Sequence, residues 1–516
     1  MSTQSHQAFD SFAEFSEVAH LAGRPISELI TEIQTVYEMD QRPWVVGFSG
    51  GKDSTVVTQL VFHAIASLAE DKRTKPVFVI SSDTLVETPM VTSLIGGTLE
   101  RLEKTAKKRN LPISGHLVFP KTSDTFWVNL IGKGYPAPTK QFRWCTERMK
   151  IDPVTDFITS KISDFGEVVI ILGSRSQESS TRAQVMKKHK IQGSLLSRHS
   201  ELPNAYIYPP IASWSHDDVW DCLLAAPQPW GGTNERLFEL YKGSNAGECP
   251  LVIDTNTPSC GNSRFGCWTC TVVSKERAIE GLISSGETWL KPLKQFRDLL
   301  HETTIPENKK TYRNIKRRTG LISYMRGRVD KDGQSDVKHI PGPYWMSWRQ
   351  EFLRRLFAIQ KELDDQGRDV TLITKDELHK IRKEWIHDPN EPDWQDSLPK
   401  IYREFFEEEI DWVENDAGSF SPEDVATLQG LEKKYGLPTE LIIKLLEVET
   451  SMDSLNRRRG ISKQLTSILN QDWVVEDALA SRRDEVEFQM GFEERLKQVE
   501  KESTLVGRQI NDLANS

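Results

Sequence analysis

Ser49 to Thr55 read Ser-Gly-Gly-Lys-Asp-Ser-Thr, a run that gathers phosphate-handling residue types in one place. Gly50 and Gly51 let backbone approach a ligand closely. Lys52 adds a point charge, and Ser49, Ser54 and Thr55 add hydroxyl donors. Val45, Val46 and Phe48 before the run have the pattern of a buried strand, and Val56, Val57, Leu60 and Val61 after it recur at helical spacing. A glycine-rich turn between a strand and a helix N-terminus offers unpaired N–H groups and the positive end of a helix dipole, which suits phosphate. A plain strand-to-helix turn with a Ser or Asp cap would need neither the glycine pair nor the lysine. The G-x-x-x-x-G-K spacing of a Walker A loop is absent.

Elements that place further residues beside this loop can be read downstream. Pro76 to Ile80 reads as a second buried strand ending at Ser82, Asp83 and Thr84, followed by Glu87 and Thr88. His116–Phe119 and Glu167–Leu172 are further strand candidates, with helical patterns between, so the fold expected is α/β with a doubly wound, mostly parallel sheet. Ligands on such sheets bind beyond the carboxyl ends of the strands, which puts Asp83 on the same rim as the loop. Gly132 to Pro136, Lys140, Arg143, Cys145, Thr146 and Lys150 form a cationic, Gly- and Pro-rich stretch that suits either a phosphorylated ligand or a solvated basic surface. Gly173, Arg175, Glu178, Ser179 and Arg182 form another polar turn at a strand end, where the arginines suit phosphate or an ion pair with Glu178. Ser215 reads as a helix N-cap with Asp217 and Asp218 in the first turn.

The 516 residues carry a net charge of -9, are 37% hydrophobic and 27% charged, and hold six cysteines. Bulk attraction to nucleic acid is disfavoured by that balance, although a local basic face is not. No apolar run reaches the roughly 20 residues of a membrane span, and a cytoplasmic location is expected. Cys249, Cys260, Cys267 and Cys270 follow the spacing C-x10-C-x6-C-x2-C, compatible with a four-iron cluster, structural zinc or unliganded thiols. Cys222, on an apolar helix face, is expected in the core.

The expected organisation is an N-terminal helical segment (1–40), the nucleotide domain (41–240), the four-cysteine segment (241–285), a helical basic region (286–384), an acidic linker (385–420) and a helical C-terminal region (421–516). Lys309 to Lys331 is strongly basic, and within it Lys316, Arg317 and Arg318 are candidates for DNA contact, for a solvated helix face or for a contact to an acidic partner.

Five motifs occur together: SGGKDS (Ser49 to Ser54), SSDT (Ser81 to Thr84), R-x-C-T-x-x-x-K (Arg143 to Lys150), G-x-R-x-x-E-S (Gly173 to Ser179) and P-I-x-x-W (Pro210 to Trp214). In this set the chain resembles the phosphoadenylylsulfate reductase branch of the ATP pyrophosphatase superfamily, with its adenine nucleotide α-hydrolase-like fold, over roughly residues 40 to 230. It departs from the reductases, which carry a late Glu-Cys-Gly cysteine or an adjacent Cys-Cys pair. Arg42 to Thr55, Ser82 to Pro89 and the four-cysteine spacing resemble instead the DndC family of bacterial DNA phosphorothioation systems.

That resemblance implies an ATP pyrophosphatase using Mg²⁺ and a 4Fe-4S cluster on Cys249, Cys260, Cys267 and Cys270. The cargo it implies is sulfur from a cysteine desulfurase, placed into the DNA backbone together with other subunits of a phosphorothioation complex. Lys52, Arg143 and Arg175 are then the expected charge stabilisers, with Asp53 holding metal or orienting the loop. Ser49 to Thr55, Ser82, Asp83, Thr84, Arg143, Cys145, Thr146, Lys150, Gly173, Arg175, Glu178 and Ser179 are expected around ATP. A sulfate-directed reductase or sulfurylase, or a nucleotide-gated cluster subunit with little turnover, are the competing expectations.

Overall fold

The structure is a computed structural model and describes residues 2–177, 184, 188–189, 191–244, 266–274, 277–326, 337–413, 420, 422–452, 460–490, 493 and 497. Six strands, Trp44–Gly47 (β1), Val77–Ser82 (β2), Ile113–Val118 (β3), Val168–Ile171 (β4), Ser197–Arg198 (β5) and Ala205–Tyr208 (β6), form one sheet in the order β3-β2-β1-β4-β6-β5. All pairings from β3 through β6 are parallel, and only the edge strand β5 runs antiparallel. β1 lies between β2 and β4, so the loop that follows it emerges at the middle of the rim.

Successive side chains of a strand point to opposite faces. Trp44 and Val46 accordingly join one core and Val45 the other. The first core is closed by the helices Ile26–Glu38, Lys52–Ala66, Pro89–Lys108 and His216–Ala225; the second is closed by Asp152–Phe165. Helices therefore cover both faces, and β1, with all four residues buried, is the continuous apolar run that a covered parallel strand requires. The Ser215 cap forms a full capping box with Asp218, and Cys222 is fully buried, as expected. No described helix is long and apolar enough to cross a membrane.

The chain divides into two compact units. Residues 1–126, 137–302 and 359–374 make the first; 127–136, 303–358 and 375–516 make the second. Residues 128–136 thus differ from the ligand loop expected at Gly132 to Pro136. Val128 to Gly132 form a buried π-helical turn, and the Ile131 carbonyl accepts from Trp385 Nε1 (2.8 Å). Gly134 (φ +69°) leaves no room for a Cβ, which would stand 2.6 Å from Arg349 Nε. Trp127, Val128, Leu130 and Ile131 are apolar because they are buried in the second unit. Likewise, the acidic linker expected at 385–420 contains the helix Ser397–Arg403 and the buried residues Trp385, Asp388, Leu398 and Ile401. Asp388 is charged and fully buried because it pairs with the equally buried Arg349 at 2.7 Å.

Lys316, Arg317 and Arg318 also lie in the second unit. Lys316 Nζ stands 5.5 Å over the Trp473 ring. Arg318 donates to the Lys133 carbonyl (2.7 Å) and pairs with Glu384 and Asp388. Of the three, Arg317 is exposed, and Lys316 and Arg318 are half-buried with these partners.

In the first unit, His63 is buried with both ring nitrogens unpaired and packs 4.8 Å from each of the Phe9 and Phe12 rings. Burial, helped by the Arg109 charge, lowers its pKa from 6.5 to about 4. Below the ordinary value the unfolded chain takes up a proton that the folded chain refuses, so stability falls as pH falls through this window, by about 3 kcal/mol over its width. A His63→Leu variant is expected to lose less of its urea midpoint between about pH 7 and about pH 4.5 than the wild type; equal losses would remove His63 as the cause.

Candidate nucleotide and thiol site

The turn after β1 is built to leave donors free. Gly50 takes φ +70°, a conformation that favours glycine, and a Cβ there would meet Ile95 Cγ1 at 2.7 Å. Among the described residues the N–H groups of Gly50, Gly51, Asp53 and Ser54 donate to no protein acceptor, whereas Thr55 N–H closes the first helical bond to Gly51. These groups sit at the N-terminus of a 15-residue helix, which is the arrangement that binds an anion. The hydroxyls do something other than the sequence suggests. Ser54 Oγ accepts from Ser49 N–H (3.2 Å) and donates to the Gly51 carbonyl (2.9 Å), and Thr55 Oγ1 donates to that same carbonyl (2.8 Å). Ser54 and Thr55 brace the turn.

Asp53 is held between two cations. Its Oδ1 accepts from Arg175 Nε at 2.6 Å and its Oδ2 from Lys52 Nζ at 2.7 Å. The Lys52 side chain is 0% exposed and that of Arg175 2%, so one carboxylate is shared by two buried cations. These two bonds tie Asp53 both to the loop and to the turn after β4. Gly173 completes the clamp: a Cβ there would meet the Asp53 carbonyl carbon and oxygen at 2.8 Å, so the turn after β4 closes directly on the loop backbone.

The 143–150 segment docks on the end of β2. Ser82 Oγ donates to the Met149 carbonyl (3.0 Å), and Lys150 pairs with Glu87 at 3.3 Å. Trp144 stacks on Phe126 with ring centroids 5.5 Å apart, while Arg143 Nε is buried with no hydrogen-bond partner. Asp83 accepts from Leu85 N–H (2.8 Å), and burial, opposed by that bond and reinforced by Glu87, raises its carboxyl pKa.

Onto this rim the chain brings a cysteine turn from far away in sequence. Thr88 N–H and Oγ1 both donate to the Gly266 carbonyl (3.1 and 3.0 Å), and Trp268 N–H donates to Val86 (3.0 Å). Cys267 Sγ consequently lies 3.3 Å from Thr84 Oγ1 and 3.7 Å from Glu87 Oε1. Burial, with the Glu87 carboxylate beside it, pushes the Cys267 thiol well above the ordinary value, against the opposing pull of Lys150. The turn is pinned from behind by buried Arg297, which donates to the carbonyls of Cys270 (2.8 Å), Val273 and Ser274 (3.2 Å).

Cys267 and Cys270 share one tight turn, Cys270 N–H donating to the Cys267 carbonyl at 3.1 Å, and the intervening Thr269 hydroxyl is buried without a partner. Two soft thiols on one tight turn fit a thiolate-held metal, and a bound cation would invert the pKa logic that now keeps Cys267 neutral. Among the described residues no three His, Cys, Asp or Glu side chains gather at metal distance. Cys249, Cys260, Glu178, Ser179 and Arg182 lie outside the described residues. Sequence reasoning missed Arg297 and Tyr241, whose hydroxyl accepts from Lys52 N–H at 3.3 Å; neither sits in a motif, so spacing held no signal for them.

Residues 43–273 match the family described as phosphoadenosine phosphosulfate reductase domain. An uncharacterized protein of Methanocaldococcus jannaschii is 28% identical over 207 residues, 40% of this chain and 36% of that one, so the chain matches about a third of the length of this curated relative. Among solved structures, the phosphoadenylyl-sulfate reductase of Candida auris in complex with phosphate aligns with 44% of this chain and 89% of its own, at 14% identity and a TM-score of 0.25. The U34-tRNA thiolase NcsA of Methanococcus maripaludis with its [4Fe-4S] cluster aligns with 56% and 84%, at 13% identity and a TM-score of 0.27.

Two substitutions test the clamp. Asp53→Ala strands two buried cations and is expected to lower unfolding stability by about 3 kcal/mol or more in urea titration. Gly173→Ala forces the loop backbone aside and is expected to weaken ATP binding by roughly tenfold or more in calorimetry; wild-type affinity there would show that the loop does not carry the nucleotide.

Proposed function

We propose that this protein, whose residues 43–273 make a phosphoadenosine phosphosulfate reductase-like domain, splits ATP between its α and β phosphates to place sulfur in a DNA backbone phosphate. The observation that carries this reading is the 3.3 Å approach of Cys267 Sγ to Thr84: a thiol turn stands on the same sheet rim as an anion-binding loop.

In the first half-reaction a non-bridging phosphate oxygen of DNA attacks the α-phosphorus of ATP and pyrophosphate leaves with the bonding pair. The N–H groups of Gly50, Gly51, Asp53 and Ser54 meet the departing charge, with Mg²⁺ entering as part of the nucleotide substrate. Lys52 and Arg175 act through Asp53 by fixing the turn. Arg143, whose Nε lacks a protein partner, is the cation left to neutralise the substrate phosphates. In the second half-reaction sulfur at the sulfide level attacks the adenylylated phosphorus and AMP leaves with the oxygen, so no net oxidation occurs. Cys267 and Cys270, with Cys249 and Cys260, are the residues that would hold the 4Fe-4S cluster, which when bound supplies iron able to bind sulfide. The sulfur source is a cysteine desulfurase, whose persulfide sulfur reaches the sulfide level when a second thiol, as the reductant, attacks the inner sulfur and leaves a disulfide; the modified sequence is chosen with the other subunits of a phosphorothioation complex.

Two variants separate the halves. Gly51→Val is expected to lower pyrophosphate release by about a hundredfold or more through the lost donor geometry. Cys267→Ser is expected to keep pyrophosphate release while abolishing phosphorothioate dinucleotides in cellular DNA, read by mass spectrometry, together with iron and acid-labile sulfide in anaerobically purified protein. Undiminished phosphorothioate in the Cys267→Ser strain would sink the sulfur half of the reading.

A further inference from the structure

Away from the thiol turn, a cavity of about 910 Å³ opens between the Pro89–Lys108 helix and residues 228–236. Its walls carry Arg101, Lys104, Lys108 and Arg236, all exposed, and its floor includes Gly97 and Gly232. Glu100 neutralises Lys104 at 2.6 Å and Glu103 takes the neighbouring Lys107 at 3.0 Å. Arg101 hydrogen-bonds only neutral partners, Thr98 Oγ1 (3.3 Å) and Gln228 Oε1 (3.5 Å), with the Glu100 carboxylate acting on it at longer range, and Lys108 and Arg236 have no ion pair among the described residues. Three cations without a close ionic partner, from two separate elements, thus face one groove. Lys108 lies in the last turn of its helix and favours the dipole there, but that account leaves out Arg101, two turns earlier, and Arg236 on the opposite wall.

Both walls lead to the nucleotide loop. Ile95, one residue past the groove-lining Leu94, is the side chain that a Cβ on Gly50 would strike, and Tyr241, on the helix that carries Arg236, is the hydroxyl at Lys52 N–H. From Gly97 to Lys108 the helix rises about 16 Å, roughly five steps of a DNA strand at about 3.4 Å each. The groove has no aromatic face for a base: Trp230 is 2% exposed, packs on Phe62 and donates its Nε1 to Gln228. Such a surface grips phosphates and is indifferent to sequence.

The structure assigns this groove as the track that holds the DNA backbone and leads a phosphate to the loop. The assignment deepens the proposed function and rests on DNA being its substrate. The probe is a fluorescein-labelled oligonucleotide of about 20 bases, single-stranded and duplex, titrated over a salt series with wild type and with an Arg101→Gln, Lys108→Gln, Arg236→Gln variant; an RNA of matching sequence forms a further arm. The variant is expected to bind DNA on the order of tenfold more weakly, with the log K against log salt slope shallower by about 2 to 3, while its ATP binding stays at the wild-type level. Equal affinity and slope in variant and wild type, both binding DNA, would overturn the groove and leave the substrate reading standing. Absence of DNA binding by the wild type would overturn both, and RNA bound much more tightly than DNA would move the assignment away from DNA.

Discussion

The site depends on one buried ion triad. Asp53 is held between Lys52 and Arg175, and because Arg175 comes from the turn after β4, the triad ties the central strand's loop to its neighbour. Charges in the interior persist only when matched and hydrogen-bonded. Here the match fixes the backbone of a turn whose outward N–H groups must keep their positions when a phosphate arrives. The lysine of the motif is itself held by Asp53, so the groups of the turn that point outward are main-chain N–H donors.

A second tie, made almost wholly of backbone bonds, brings the cysteine turn to the rim. Val86 and Thr88 bond to Trp268 and Gly266, and Arg297 holds the far side through three carbonyls. Carbonyl and amide contacts tolerate many side-chain identities, so the position of the thiol is fixed without a recognisable motif. Lys150 and Glu87 then set the charge around it.

The sheet was legible because buried parallel strands are apolar runs: Val45–Val46, Val77–Ile80 and Val168–Ile171 stand out against polar loops, and the glycine-rich turn has few other uses. β5 and β6 were not, since Ser197–Arg198 is only two residues long and Ala205–Tyr208 ends against two prolines. The clamp was half legible. Arg175 was visible as a rim cation, yet that its partner is Asp53 is a pairing 122 residues long in sequence, which spacing alone cannot reveal. Gly132 and Gly134 misled for a physical reason, because glycine serves equally where backbone meets phosphate and where backbone meets a buried arginine.

The second unit takes residues 127–136 from the middle of the first. Trp385 Nε1 reaches the Ile131 carbonyl across 254 residues, so the cover for Trp127, Val128, Leu130 and Ile131 is synthesised long after they are. At about 5–20 residues per second, a ribosome leaves that apolar strip bare for tens of seconds. The nascent first unit therefore carries an apolar strip that stays uncovered for that interval, and a fragment cut after the cysteine turn would carry it permanently.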